Sequence, residues 1–127
     1  MNYTLEHSSI QDCLCIRVIG RWPSRKPERI ISDIFNLWKE YKQPVLIDIR
    51  RMEDAPGILG DYQNAERFAD AGFGRLGRIA VLDNQERRDA NDFFETTASN
   101  RGLKFRFFYA KEQEAIAWLV PKKEGEV

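Results

Sequence analysis

Three apolar runs, Val45–Ile49, Ile79–Leu82 and Leu103–Tyr109, each stand between stretches of helical periodicity. This spacing narrows the possible folds more than any other feature of the chain. A strand that must pass through a helix before the next strand returns parallel to it, by a right-handed crossover. The resulting sheet needs helical cover, because strands buried on both faces lose their polar alternation. Val45-Leu46-Ile47-Asp48-Ile49 is of that kind, apolar at every position except Asp48.

Two further β-like segments come first, Tyr3–His7 and Cys13–Ile19. The second sets Cys13, Cys15, Arg17 and Ile19 on one face and Leu14, Ile16 and Val18 on the other. The polar stretch Ser8-Ser9-Ile10-Gln11-Asp12 joins them as a hairpin turn. Gly20 and Trp22-Pro23 end the second strand.

Four helices follow from periodicity and punctuation. The first starts near Ser24, with Ser24 or Lys26 at the cap and Pro27 in the first turn, and carries Ile30, Ile34, Leu37, Trp38 and Tyr41 on one face. Arg50–Gly60 reads as a loop around Pro56 and Gly57. Asp61 caps a second helix with Tyr62, Ala65, Phe68, Ala69 and Phe73 inward, stopped by glycines 72, 74 and 77. The third spans Arg87–Arg101, with Ala90, Phe93, Phe94, Thr97 and Ala98 inward and Gly102 ending it. The fourth, Lys111–Val120, is anchored by Ala115, Trp118 and Leu119. The order is ββαβαβαβα. It predicts one α/β domain over residues 1–120: a five-stranded mixed sheet, mostly parallel with an antiparallel N-terminal hairpin strand, and four helices packed on it. A polar, frayed tail covers 121–127. Leu103–Tyr109 alternates apolar with basic residues, as a sheet edge does.

Charge and composition exclude several classes of function. Twenty basic residues balance twenty acidic ones, so no bulk field draws nucleic acid or anionic membrane. No apolar run reaches membrane-span length, and the first residues lack a signal-peptide pattern, which predicts a cytoplasmic protein. Cys13 and Cys15 share one strand face, an unsuitable geometry for a disulfide, and His7 is the lone histidine. The expectation is therefore two reduced cysteines acting as small apolar residues, with no metal and no cofactor.

The chemistry-bearing candidates are few. Gly72-Phe73-Gly74-Arg75-Leu76-Gly77 spells G-x-G-x-x-G, but it follows a helix and precedes a strand. A dinucleotide fingerprint needs the reverse order, so these glycines read as a helix stop. Asp48 lies near the carboxyl end of a buried strand, where open α/β sheets bind ligands, and burial there suits acid–base chemistry. It equally suits a structural carboxylate that accepts backbone hydrogen bonds from the next loop or pairs with Arg50. The same edge carries Arg21, Arg50, Arg51, Arg87 and Arg88. That rim fits a phosphate, a carboxylate or an acidic partner; with Glu53, Asp54, Asp83, Glu86 and Asp89 interleaved, it also fits a solvated mixed-charge surface. Trp22 is the aromatic best placed to face a ligand or partner.

The order of elements resembles the STAS domain, typified by the sporulation anti-anti-sigma factor. The chain is more closely similar to the bacterial SpoIIAA-like family, whose fold is compared with CRAL-TRIO lipid-carrying domains. The landmarks are Gly20, Leu46-Ile47-Asp48-Ile49-Arg50, Gly77-Arg78-Ile79-Ala80-Val81-Leu82, and Glu112 through Leu119 in the closing helix. The resemblance implies a phosphorylation-controlled switch, a binder of a small apolar or anionic ligand, or a regulatory module. In the antagonists a serine just after the third strand is phosphorylated, and the added charge breaks partner binding. Here that stretch holds no serine or threonine, and none occurs from Asp33 through Glu95.

The leading expectation is a non-enzymatic STAS-like regulatory or ligand-binding domain without a phosphoswitch. Its ligand or partner surface would be Trp22, Arg50, Arg51, Asp61, Tyr62, Arg87 and Arg88. The partner would be an unknown protein or a small anionic or apolar ligand, and an exposed edge strand would permit a homodimer. The alternatives are a carrier of a small apolar or lipid-like molecule, and an enzyme using Asp48 or Asp83 with the arginines.

Overall fold

The computed structural model describes residues 3–23, 25–53 and 62–120, Tyr62 by its backbone alone. The expectations for Ser24, Asp61, the Tyr62 side chain and the tail lie outside it. Strands β1 (Tyr3–Ile10), β2 (Cys13–Arg21), β3 (Val45–Asp48), β4 (Met52–Glu53), β5 (Arg78–Leu82) and β6 (Lys104–Phe108) form one sheet. Helices are α1 (Pro27–Tyr41), α2 (Tyr62–Asp70), α3 (Arg88–Ser99) and α4 (Glu112–Leu119). The sheet order is β1-β2-β3-β5-β6, with β4 also paired to β2. The β1–β2 pair is antiparallel and every other pair is parallel.

The expected architecture holds with one correction: the sheet has six strands, not five. The added strand, β4, falls in the stretch read as loop. Its partner is the far end of β2, where Gly20 and Arg21 face Met52 and Glu53, while Leu14–Arg17 face Val45–Asp48. Between these pairings β2 spends two residues, Val18 and Ile19, against three, Ile49 to Arg51. β3 and β4 are thus one strand broken by a single extra residue, the geometry of a bulge. Two residues are too few to carry an alternation, which is why sequence pattern passes over β4.

Gln11 and Asp12 make the hairpin turn with φ of 50° and 66°. Positive φ at both central residues matches the twist of the flanking strands. Pro27 opens α1 in its first turn, as expected, behind Lys26, whose side chain makes no cap bond. The third helix is shorter than expected, because Gln85–Arg87 forms a separate 3-10 turn before it.

The sheet is covered unequally. On one face Leu14, Ile16, Val18, Val45, Ile47, Ile79, Val81, Phe105 and Phe107 pack under α1, α2 and α3. On the other, Cys13, Cys15, Leu46, Ala80 and Leu82 pack under α4, the one helix on that face among the described residues. The larger core is an aromatic stack: the rings of Phe68 and Phe73 lie 4.8 Å apart, Phe68 and Phe105 5.3 Å, and Phe94 and Phe105 5.1 Å. Most of these pairs meet edge to face, the arrangement the ring quadrupole favours.

Two helix faces are rotated from expectation. In α3 the buried positions are Asn91, Phe94, Thr97 and Ala98, while Phe93 is 53% exposed. Asn91 must turn inward to reach Asp83, which swings Phe93 out. In α1 the buried isoleucines include Ile31, and Tyr41 stands exposed beside His7.

Candidate functional site at the carboxyl edge

Strands β2, β3, β5 and β6 run in one direction, so their carboxyl ends converge. Two buried carboxylates stand there on opposite faces of the sheet. Asp48 lies beside Arg17 on the α4 face, and Asp83 lies beneath α3.

Asp48 is 3% exposed and saturated with donors. Arg50 holds it with two side-chain bonds, Nε to Oδ1 at 3.0 Å and Nη2 to Oδ2 at 2.9 Å, and with its backbone N–H at 3.1 Å. Arg17 approaches from β2, its Nε 3.8 Å from Oδ2. The carboxylate therefore braces the bulge that follows it. Both structural roles considered for Asp48, accepting from the loop backbone and pairing with Arg50, are present together. The bond to Asp48 raises the Arg50 pKa still further, so its charge is fixed.

Asp83 is fully buried. It accepts from the Asn84 backbone at 2.7 Å, from Arg87 Nη1 at 2.5 Å and from Asn91 Nδ2 at 2.9 Å. Arg87 also donates to the backbone oxygens of Ile49 at 3.3 Å and Met52 at 2.8 Å. Asn84 Nδ2 donates to the Arg50 carbonyl at 2.9 Å. One arginine thus ties α3 to both sides of the bulge.

The expected rim is divided by this arrangement. Arg87 is turned inward, because its donors are taken up by Asp83 and two carbonyls. Arg50 is half-committed to Asp48. Arg51 and Arg88 are exposed; Arg51 has no side-chain partner among the described residues, and Arg88 lies over the Tyr109 ring at 5.5 Å. Trp22 is half-buried against the larger core. Sequence reading missed the Asn91 contribution, although Asp83, Arg87 and Asn91 are spaced by four residues and signal one helical face.

Cys15 is the nearest nucleophile, with Sγ 3.9 Å from Glu112 Oε1. Burial, reinforced by the Glu112 charge, pushes its thiol up to about 11. Cys13 is raised as well, again chiefly by burial. Both cysteines are free and buried. At neutral pH they are thiols, without the thiolate character that nucleophiles and soft-metal ligands need. Among the described residues no group of three or more His, Cys, Asp and Glu side chains is arranged to hold a metal.

No protein-family model matches the sequence, and no curated protein matches it. A solved structure does: an anti-sigma factor antagonist from Mycobacterium paratuberculosis superposes with a TM-score of 0.62, covering 92% of this chain and 93% of that one. The chain shares the fold of an anti-sigma factor antagonist. Identity between the two is 15%, so the likeness concerns the course of the backbone. The backbone course expected from the order of elements is therefore shared by the two chains over nearly their whole length. Among the described residues no helix is long and apolar enough to cross a membrane.

Proposed function

We propose that this chain is a cytoplasmic, non-enzymatic, STAS-like regulatory domain that binds a protein partner at the carboxyl edge without a serine phosphoswitch. The observation that carries this reading is the match in fold, over almost the whole of both chains, to a protein described as an anti-sigma factor antagonist. No serine or threonine lies between Asp33 and Glu95, so a phosphoserine switch just after the third strand cannot be carried over to this chain.

The chemistry of the edge favours binding over catalysis. Each buried carboxylate is neutralised by an arginine and saturated with donors, which suits bracing better than proton transfer. Of the residues expected at this surface, Arg50, Arg51 and Arg88 are exposed and Trp22 is half-buried. Guanidinium groups of this kind recognise carboxylates in a fixed fork geometry, so an acidic protein segment fits.

The test compares affinity-tagged wild type with an Arg51→Ala, Arg88→Ala double variant in the native host. A partner captured by the wild type and lost by the variant, at equal melting temperature, supports the reading. Equal capture by both proteins removes this edge as the binding surface.

A further inference from the structure

The two edges of the sheet are treated differently. At β6, the Phe107 N–H that points away from β5 is taken by the Glu95 carboxylate at 3.3 Å. The β1 edge has no such cap among the described residues. Its geometry follows from the hairpin. A two-residue turn closes on Ile10 and Cys13, which form the first hydrogen-bonded pair. Alternation then directs the backbone groups of Thr4, Glu6, Ser8 and Ile10 toward β2, and those of Tyr3, Leu5, His7 and Ser9 outward.

Beside this open edge runs a cleft between β1 and α1. Its two halves measure about 330 Å³ and 360 Å³ and share Leu5 and Asp33. Apolar contact is offered by Tyr3, Leu5 and Leu37. Among the described residues the charged groups lining it are Asp33 and Glu40 against Arg29, while Glu6 lies on the other side of β1, directly opposite Arg17. β1 is also well anchored, so it can serve as a template: Tyr3 donates to Asp33 at 2.6 Å, His7 Nε2 lies 3.2 Å from the Tyr41 hydroxyl, and Ser9 donates to Gln43 at 3.0 Å.

We propose that the β1 edge accepts an extended, basic segment of a partner protein as an additional strand, its alternate side chains lying in the α1 cleft. Strand addition draws affinity from main-chain bonds and selectivity from the pockets beside them. The excess of carboxylates selects lysine or arginine at alternate positions, with apolar residues over Leu5 and Leu37. A second copy of this chain fits less well. In the antiparallel register that pairs the outward-facing Tyr3 with Ser9 of the other copy, Glu6 stands directly against its own copy, and like charges so opposed are destabilising. This surface is separate from the arginines of the carboxyl edge and does not depend on their role.

The probe is a blocked octapeptide alternating lysine and valine, added to the isotope-labelled full chain, with a glutamate–valine octapeptide as control. The expected result is saturable binding with amide exchange at Tyr3, Leu5, His7 and Ser9 slowed by about tenfold or more. His7→Pro, which deletes an outward donor at an edge position where proline is tolerated, should abolish binding, while His7→Ala keeps it within about twofold. Glu40→Lys, on an exposed helical position that leaves the fold intact, should weaken it by about fivefold. Unchanged exchange at those amides, equal binding of the acidic peptide, or full affinity in Glu40→Lys overturns the proposal. So does sedimentation showing a dimer of the free chain in which these amides are already protected.

Discussion

Arg87 meets Asp83 at 2.5 Å across one turn, with the carboxylate fully buried and the guanidinium 9% exposed. The pair forms part of the frame that holds the bulge between β3 and β4. Removing one partner leaves the other charged and buried without its counter-ion, held by neutral groups only. Arg87→Ala is therefore expected to cost about 3–5 kcal/mol in urea unfolding. Replacing both, as in Asp83→Leu with Arg87→Met, should cost less than the two single changes summed, since no charge is left stranded. An Arg50, Arg87 double substitution reads out stability before it reads out binding.

Adjacent phenylalanines make a sharper test of the helix face. Phe94 is fully buried among Phe68, Phe105 and Phe107, while Phe93 is 53% exposed. Phe94→Ala should destabilise by about 3–5 kcal/mol through cavity formation and lost packing. Phe93→Ser should stay within about 0.5 kcal/mol of wild type. Equal losses in chemical denaturation would mean that α3 is rotated from the orientation described.

These residues also show where sequence is legible and where it is not. The alternation of apolar runs and helical stretches carries the fold class, because it is a periodic property. Asp48 with Arg50 is legible too, since partners two residues apart at a strand end have few other geometries. Arg87 and Arg88 are chemically identical neighbours; only tertiary contacts turn one inward to Asp83 and leave the other on Tyr109. Phe93 and Phe94 pose the same difficulty, because a turn of about 100° per residue separates them and both are apolar. Sheet order is another long-range property, and β4 is defined by the register of β2 rather than by its own two residues.

The thiols predict an alkaline limit to stability. Cys15 titrates near 9 when unperturbed and about 11 in the fold, and Tyr3 moves from 10 to about 12 because of burial and its bond to Asp33. The folded state thus binds more protons than the unfolded state across this range. Stability is fully present below pH 9 and is lost as pH rises toward 11 and beyond. Cys15→Ala should flatten the fall measured by urea unfolding between those values. The folded protein at pH 8 should resist a thiol reagent that labels both cysteines once urea is added.

The glycines of the false dinucleotide motif separate by conformation. Gly72 has φ +95°, and a Cβ there would meet the Phe35 ring at 3.3 Å. Gly74 lies in the 3-10 turn with nothing within 4 Å of an added Cβ. Gly72→Ala must strain the backbone and displace Phe35, whose ring packs 5.8 Å from that of Phe73. A loss of about 1–2 kcal/mol is expected. Gly74→Ala should be neutral or stabilising by up to about 1 kcal/mol, because it restricts the unfolded chain without straining the folded one. Thermal melts of the two variants decide the point: a stable Gly72→Ala would mean that the turn into β5 does not need the left-handed residue on which its entry angle depends.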